Sequence, residues 1–231
     1  MRGEVVFCVE ETIGVTGAPP IPQQRGEQLI ETAVRYAEER HWDVFPGASL
    51  EHDGDTPRCS CNADACPAPG AHPTGPGWTG LASGSASAVR RMWSKQPRAS
   101  ILLPTGRAFE ALEVPEMAGC LALARMERME VPLGPVTRTP HGRMLFLVLP
   151  GASAKVPELV RNLGWVPAAL DLICRGEGEY IAAPPTRMAP HGSVQWVRRP
   201  TATNRWLPDA EDLISPLAYA CGRDAAALRG R

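Results

Sequence analysis

Apolar residues between Gly26 and Arg40 recur at Leu29, Ala33, Tyr36 and Ala37, the spacing of one helical face, with Glu and Arg on the other side. Trp42 to Phe45 then reads as a short strand that Pro46 stops. Ser85 is placed to cap a second helix running to Lys95, with Ala88, Val89, Met92 and Trp93 inward. Ile101–Leu103 is a short apolar strand ending in Pro104-Thr105-Gly106, and Phe109–Val114 reads as its antiparallel neighbour. Pro115 suits the start of a helix, whose inward face carries Met117, Cys120, Leu121 and Ala124. Val136–Thr139 and Met144–Leu149 flank Pro140-His141-Gly142-Arg143, which is hairpin chemistry. A short helix at Pro157–Leu163 follows, then strands at Leu170–Cys174 and Tyr180–Ala183 with Gly176-Glu177-Gly178 as the turn between them. Val194–Val197 is a last strand, and Ala210–Ala220 a last helix despite Pro216.

Strands and helices mix without a βαβαβ rhythm, so the pattern predicts an α+β fold. Ala18-Pro19-Pro20-Ile21-Pro22 stiffens an N-terminal arm over 1–24, which includes one short strand at Val5–Val9. The main domain runs over 25–200, and a C-terminal helix and tail over 201–231. Residues 51–79 have no apolar period and are rich in Cys, Pro and Gly: a loop too long to be idle.

Composition narrows the function. With 24 basic and 25 acidic residues in 231, the net charge is −1, so any nucleic-acid contact must come from a local patch. All basic residues but Lys95 and Lys155 are arginine. No run of 18 apolar residues exists to span a membrane, and Glu4, Glu10 and Glu11 interrupt the apolar stretch a secretory signal needs. The expected compartment is the cytoplasm, with no membrane partner. Neither lysine follows a glycine, so the chain has no G-x-x-x-x-G-K-[ST] loop and no fused helicase is expected.

Of seven cysteines, three fall at Cys59, Cys61 and Cys66, and His72 follows within the same loop. Three thiols and an imidazole form a regular structural zinc set, and Pro67, Pro69 and Gly70 let the chain wrap an ion without helical constraint. His52 or Asp64 are alternatives to His72 as fourth ligand. The closed ligand set predicts a structural zinc that staples the loop.

Several segments together resemble the N-terminal domain of bifunctional DNA primase/polymerases, the prim-pol branch of the archaeo-eukaryotic primase superfamily. An amphipathic helix runs into His41-Trp42-Asp43-Val44-Phe45-Pro46, similar to the family's G-W-x-V-F-P. Cys59 through Pro73 resembles its C-x-C-x4-C-P-x-P-G-x-H-P insert. Ile101-Leu-Leu-Pro-Thr105-Gly106, Thr139-Pro140-His141-Gly142 and Arg175-Gly176 through Pro185-Thr186 follow in the family's order. The resemblance covers roughly 27–200 and implies a primase-type, RRM-like sheet with flanking helices and a zinc-knuckle insertion. Its active relatives join nucleotides on a template using Mg or Mn ions held by carboxylates.

The matched catalytic positions differ here. Where the family has a D-x-D pair, this chain has Glu113 and Pro115; Met144 stands where a phosphate-contacting histidine is expected, and Ile173 where a third Asp is. Glu113, Glu116 and Asp171 remain as candidates for a rebuilt metal site. The resemblance therefore implies a degenerate primase/polymerase-like protein of DNA metabolism, acting as a nucleic-acid-binding or accessory module. The alternatives are an active template-directed nucleotidyltransferase and a regulatory protein-interaction module. Partners in these readings are single-stranded DNA or a nucleotide, or a replication or regulatory protein.

Thr105, Gly106 and Arg107 form either a phosphate-holding turn or an ordinary strand connection. Arg143, Arg175, Arg198 and Arg199, with Arg90, Arg91, Arg138 and Arg187, form either a phosphate-tracking face or solvated surface. Trp165, Tyr180 and Trp196 either stack bases or fill the core. His141 and His191 each sit in a Pro-His-Gly turn.

Overall fold

The computed structural model describes residues 22–53, 56–189, 192–201 and 206–229, with the side chains of 22–25, 52–53 and 228–229 outside that description. The expected strand at Val5–Val9 and most of the 1–24 arm lie outside the described residues, as does His191. The fold is mixed α+β with five α-helices and antiparallel sheets.

Two strands organise it. β5 (Glu110–Pro115) and β7 (Arg143–Val148) pair antiparallel inside a five-stranded sheet. Its other members are β6 (Val136–Thr139), β8 (Ile173–Arg175) and β10 (Gln195–Arg198), in the order β10-β6-β7-β5-β8. From β5 the chain passes through α3 (Glu116–Arg128) to β6, turns a hairpin into β7, and passes through α4 (Ala152–Asn162) to β8. That run is a β-α-β-β-α-β unit.

Side chains alternate across β5 and β7, and both faces are covered. Leu112, Val114, Met144, Phe146 and Val148 enter one core with α3, α4 and α5 (Ala210–Arg229). Ala111, Leu145 and Leu147 enter a second core. That core is completed by α1 (Pro22–Arg40), α2 (Ala86–Lys95) and β4 (Ser100–Pro104). Cover on both sides is why Met144–Val148 reads as an unbroken apolar run. Glu110 faces the α4 side, is buried, and accepts the Gly151 and Ser153 amides at the start of α4, 3.0 and 2.6 Å away. Those amides have no partner within the helix, so the carboxylate caps it.

β4 belongs to a separate three-stranded sheet with β1 (Phe45–Gly47) and β9 (Tyr180–Ala182), in the order β1-β4-β9. A hairpin of β2 (Leu50–Asp53) and β3 (Thr56–Cys59) leads into the cysteine loop. No helix among the described residues is long and apolar enough to cross a membrane.

Five expectations change. Pro46 does not stop a strand but pairs with Ile101 inside β1, which an edge strand tolerates because one side needs no amide donor. Phe109–Val114 is not the neighbour of Ile101–Leu103; β5 pairs with β7 and β8 instead. Likewise Gly176–Gly178 connects strands of different sheets rather than closing a hairpin. Both crossings happen side by side: the Thr105 amide donates to the Glu179 carbonyl at 3.0 Å, and Gly106 at φ +104° packs onto Glu177. The strand expected at Leu170–Cys174 is paired only from Ile173 to Arg175, leaving Asp171 ahead of it.

The fifth change is the inward face of α3. Met117 and Leu121 are exposed, at 74% and 39%, while Ala118, Gly119, Ala122, Leu123 and Met126 are buried. Close approach to β7 selects the small residues over the large ones: a Cβ on Gly119 would stand 2.7 Å from Met144 Sδ and 2.8 Å from Met144 Cβ. Gly119→Ala is therefore expected to cost about 1–3 kcal/mol by overpacking, whereas Met117→Ala should stay within about 0.5 kcal/mol of the parent. Urea unfolding of the two variants checks this; equal stabilities would contradict the packing.

Candidate functional site

β3 ends at Cys59, and the loop that follows doubles back to bring Cys61, Cys66 and His72 to it. The four ligand atoms lie within 4.8 Å of one another, and Cys59 Sγ is 3.2 Å from His72 Nε2. Tetrahedral zinc, with bonds of about 2.0–2.3 Å, holds its ligands about 3.5–3.8 Å apart, so these donors are already drawn to the right scale. His72 Nδ1 lies 2.7 Å from the Pro73 carbonyl. A carbonyl only accepts, so that nitrogen carries the proton and Nε2 presents its lone pair to the thiols, the usual outer-shell arrangement of a metal histidine. The Gly70 amide points at Cys59 Sγ at 3.4 Å, and the Ala63 amide, first among several hydrogen bonds, draws the Cys61 thiol down to about 7. This donor set can bind a metal such as zinc. Asp64 lies outside it, and the His52 side chain is outside the described residues. The loop is pinned to the domain by the Ala48 amide on the His72 carbonyl, 2.8 Å, and the Ala189 amide on the Pro69 carbonyl, 3.2 Å.

Ala68 and Ala71 of this knuckle form one wall of a cavity of about 340 Å³. Glu113, Arg143, Leu145 and Arg175 supply the sheet side, and Trp78 and Tyr180 another. The two rings meet edge to face, 5.6 Å between centroids, and Trp78 stacks on buried Phe45 at 4.6 Å. Glu113 continues the alternation of Ala111, so it faces the second core at the point where α1 and α2 no longer cover the sheet.

The charges in this pocket satisfy one another. Glu113 accepts Arg143 Nε at 2.9 Å on one oxygen and Arg175 Nε at 2.8 Å on the other. Arg143 also forks onto Asp171, 2.7 and 2.9 Å, and Arg175 Nη1 reaches Glu179 at 2.9 Å. Burial acts to lower the basicity of both guanidiniums, but the carboxylates overturn it and hold both above the ordinary arginine value. The Glu113 side chain is only 12% exposed and accepts from both arginines, so it stands at the centre of the network.

The candidate carboxylates are thus placed differently. Glu113 and Asp171 are joined through Arg143, which stands between them. Glu116 opens α3, and its carboxylate pairs with Arg138 at 3.2 Å rather than with this network. Ile173 sits opposite Glu113 and is 40% exposed. Met144 is a correction: strand alternation turns it under Gly119, so the side chains β7 offers the pocket are Arg143 and Leu145. Among the described residues, the Cys/His set is the one group of three or more such donors drawn together on a common point.

The remaining candidates scatter. Thr105 is buried, its hydroxyl donates to the Gly176 carbonyl at 2.5 Å, and the Gly106 amide donates to Phe109 at 2.8 Å, so the turn uses its own donors. Arg107 is exposed near Asp43, 3.5 Å away. Arg198 reaches Glu127 of α3 at 3.4 Å, whereas Arg199 lines a groove against α1. His141 Nε2 lies 2.5 Å from the Ala189 carbonyl, and Trp165 packs on Gly222 of α5. Sequence reasoning missed Glu110 and Glu179. Only Glu179 left a trace, four residues after Arg175.

The model of the bifunctional DNA primase/polymerase N-terminal domain matches residues 33–210, well over half of the 231-residue chain. The chain belongs to this family, and membership implies a DNA primase/polymerase-related function and interaction with DNA. No curated protein and no solved structure matches the chain.

Two outcomes follow from the site. Protein purified without chelator should hold about one zinc per chain by elemental analysis, and Cys66→Ser should release it; a metal-free parent would contradict the knuckle. Glu113→Ala should lower stability by about 1.5–3 kcal/mol, the worth of hydrogen bonds to charged groups. A denaturation midpoint unchanged by that substitution would contradict the central role of Glu113.

Proposed function

We propose that this chain is a Prim-Pol domain whose polymerase chemistry has been replaced by an internal ion-pair network, leaving a nucleic-acid-binding or accessory module of DNA metabolism in the cytoplasm. The β5-α3-β6-β7-α4-β8 run, with strand order β6-β7-β5-β8, supports reading its core as the RRM-like sheet of primases. The knuckle is read as a structural zinc site, because its four donors leave no position open for a substrate.

One observation carries the loss of catalysis: the Arg143 guanidinium stands between Glu113 and Asp171. Templated nucleotide transfer needs divalent ions shared by protein carboxylates and the incoming phosphates. A divalent ion about 4 Å from a fixed guanidinium meets repulsion on the order of 8 kcal/mol at an effective dielectric constant of about 20. Here Glu113 has two such neighbours. Pro115 and Ile173 add no side-chain oxygen.

A primer-extension and primer-synthesis assay on single-stranded DNA with Mg or Mn tests the reading. The expected result is no templated incorporation by the zinc-loaded protein. Incorporation that persists through purification and disappears in Glu113→Ala would establish the active alternative instead.

A further inference from the structure

A concavity lined by more guanidiniums than the Glu113 pocket lies between α1 and the chain around β10. Two cavities, of about 540 and about 300 Å³, share Gln28, Pro185 and Ser193 and so form one trough. Its first wall is a stripe of α1: Gln28, Thr32, Arg35 and Glu39 fall at helical spacing on one face. Its second wall is formed by Pro184 and Pro185 together with Ser193–Trp196, Arg199 and Pro200. Arg35, Arg40 and Arg199 line the larger part, Arg98 and Arg187 the smaller. Acids are few: Glu39 is in the lining, and Glu51 meets Arg98 at 2.7 Å. None of these residues lines the Glu113 pocket, where every guanidinium is matched by a carboxylate.

The floor of the trough is aromatic, formed by Tyr36 and Trp196. Trp196 Nε1 donates to the Tyr36 hydroxyl at 3.1 Å, and that hydroxyl donates to the Pro184 carbonyl at 2.7 Å. The polar atoms of both rings are spent inside the protein, so the half-buried indole offers its apolar surface to the groove. Burial raises the Tyr36 phenol well above its ordinary value; the Trp196 hydrogen bond and the charges of Arg199 and Arg35 oppose that shift, which places both charges near the same ring.

We propose that this trough binds the phosphodiester backbone of single-stranded nucleic acid, resting on the nucleic-acid-binding reading above and giving it a location apart from the polymerase-type pocket. A cationic groove that holds a backbone while an aromatic surface meets unpaired bases is the general solution for single strands. A duplex keeps its base faces stacked internally and gains nothing from Trp196. Arg199 thereby parts from its neighbour Arg198, which is tied to Glu127 on α3.

The test is fluorescence anisotropy of a labelled oligo-dT with the full, zinc-loaded chain, titrated over salt. Arg35→Glu plus Arg199→Glu should weaken binding on the order of tenfold or more at low salt and flatten the log–log salt slope by about 1.4, two single-strand phosphate contacts. Arg161→Glu, an exposed charge change on α4, should alter neither. Parental affinity and slope in the double variant, with oligo-dT still bound, would overturn the trough and leave the nucleic-acid reading standing. No oligo-dT binding by the parent at low salt would sink both. Equal affinity for duplex, or displacement by inorganic phosphate at matched ionic strength, would overturn the single-strand assignment.

Discussion

Strand β5 is covered on both faces yet carries two carboxylates, and a buried charge left unpaired costs several kcal/mol. Each must therefore find its partners within the protein. Glu110, on the helix side, takes the first amides of α4 and so fixes where that helix begins. Glu113, three residues further along and so on the other face, takes one guanidinium from β7 and one from β8. Those two demands hold α4, β7 and β8 in register around a single strand. The pocket next to the cysteine knuckle is what remains where the second core stops short of Glu113.

The same pairing governs what the pocket can do. In the proposed reading, Arg143 supplies the positive charge that a metal ion supplies in active relatives, but its charge is already spent on Glu113 and Asp171. A metal ion has open positions for substrate oxygens; a forked guanidinium between two carboxylates has few donors left to offer. The pocket still has Trp78 and Tyr180 beside the sheet and Ala68 and Ala71 closing it. Basic surface lies elsewhere, between α1 and residues 184–187 and 192–200, where guanidiniums outnumber acids in the cavity lining.

What the sequence made legible was local. The ligand spacing of the knuckle, the α2 helix and the β6–β7 hairpin each follow from residues close together in the chain. On α3 the apolar spacing points to a face of Met117, Cys120, Leu121 and Ala124, while close approach to β7 selects the face of Gly119 and Ala122. The partition of β4 and β5 into different sheets was hidden because it depends on the Thr105 turn meeting Glu179, a long-range contact. Strand parity explains Met144: its position matched a motif, but its pleat turned it into the core and presented Arg143. No spacing rule announces that Arg143, Glu113 and Asp171 converge, since they come from three separate segments.

Divalent-ion binding to the carboxylates is the most direct test of the account. Mn²⁺ added to zinc-loaded protein can be followed by the electron paramagnetic resonance signal of the free ion. The account predicts that the parent leaves this signal undiminished at sub-millimolar Mn²⁺, because Arg143 and Arg175 already neutralise Glu113 and Asp171. Replacing both arginines by glutamine should create uptake. Stoichiometric Mn²⁺ uptake by the parent, lost in Glu113→Gln, would contradict it.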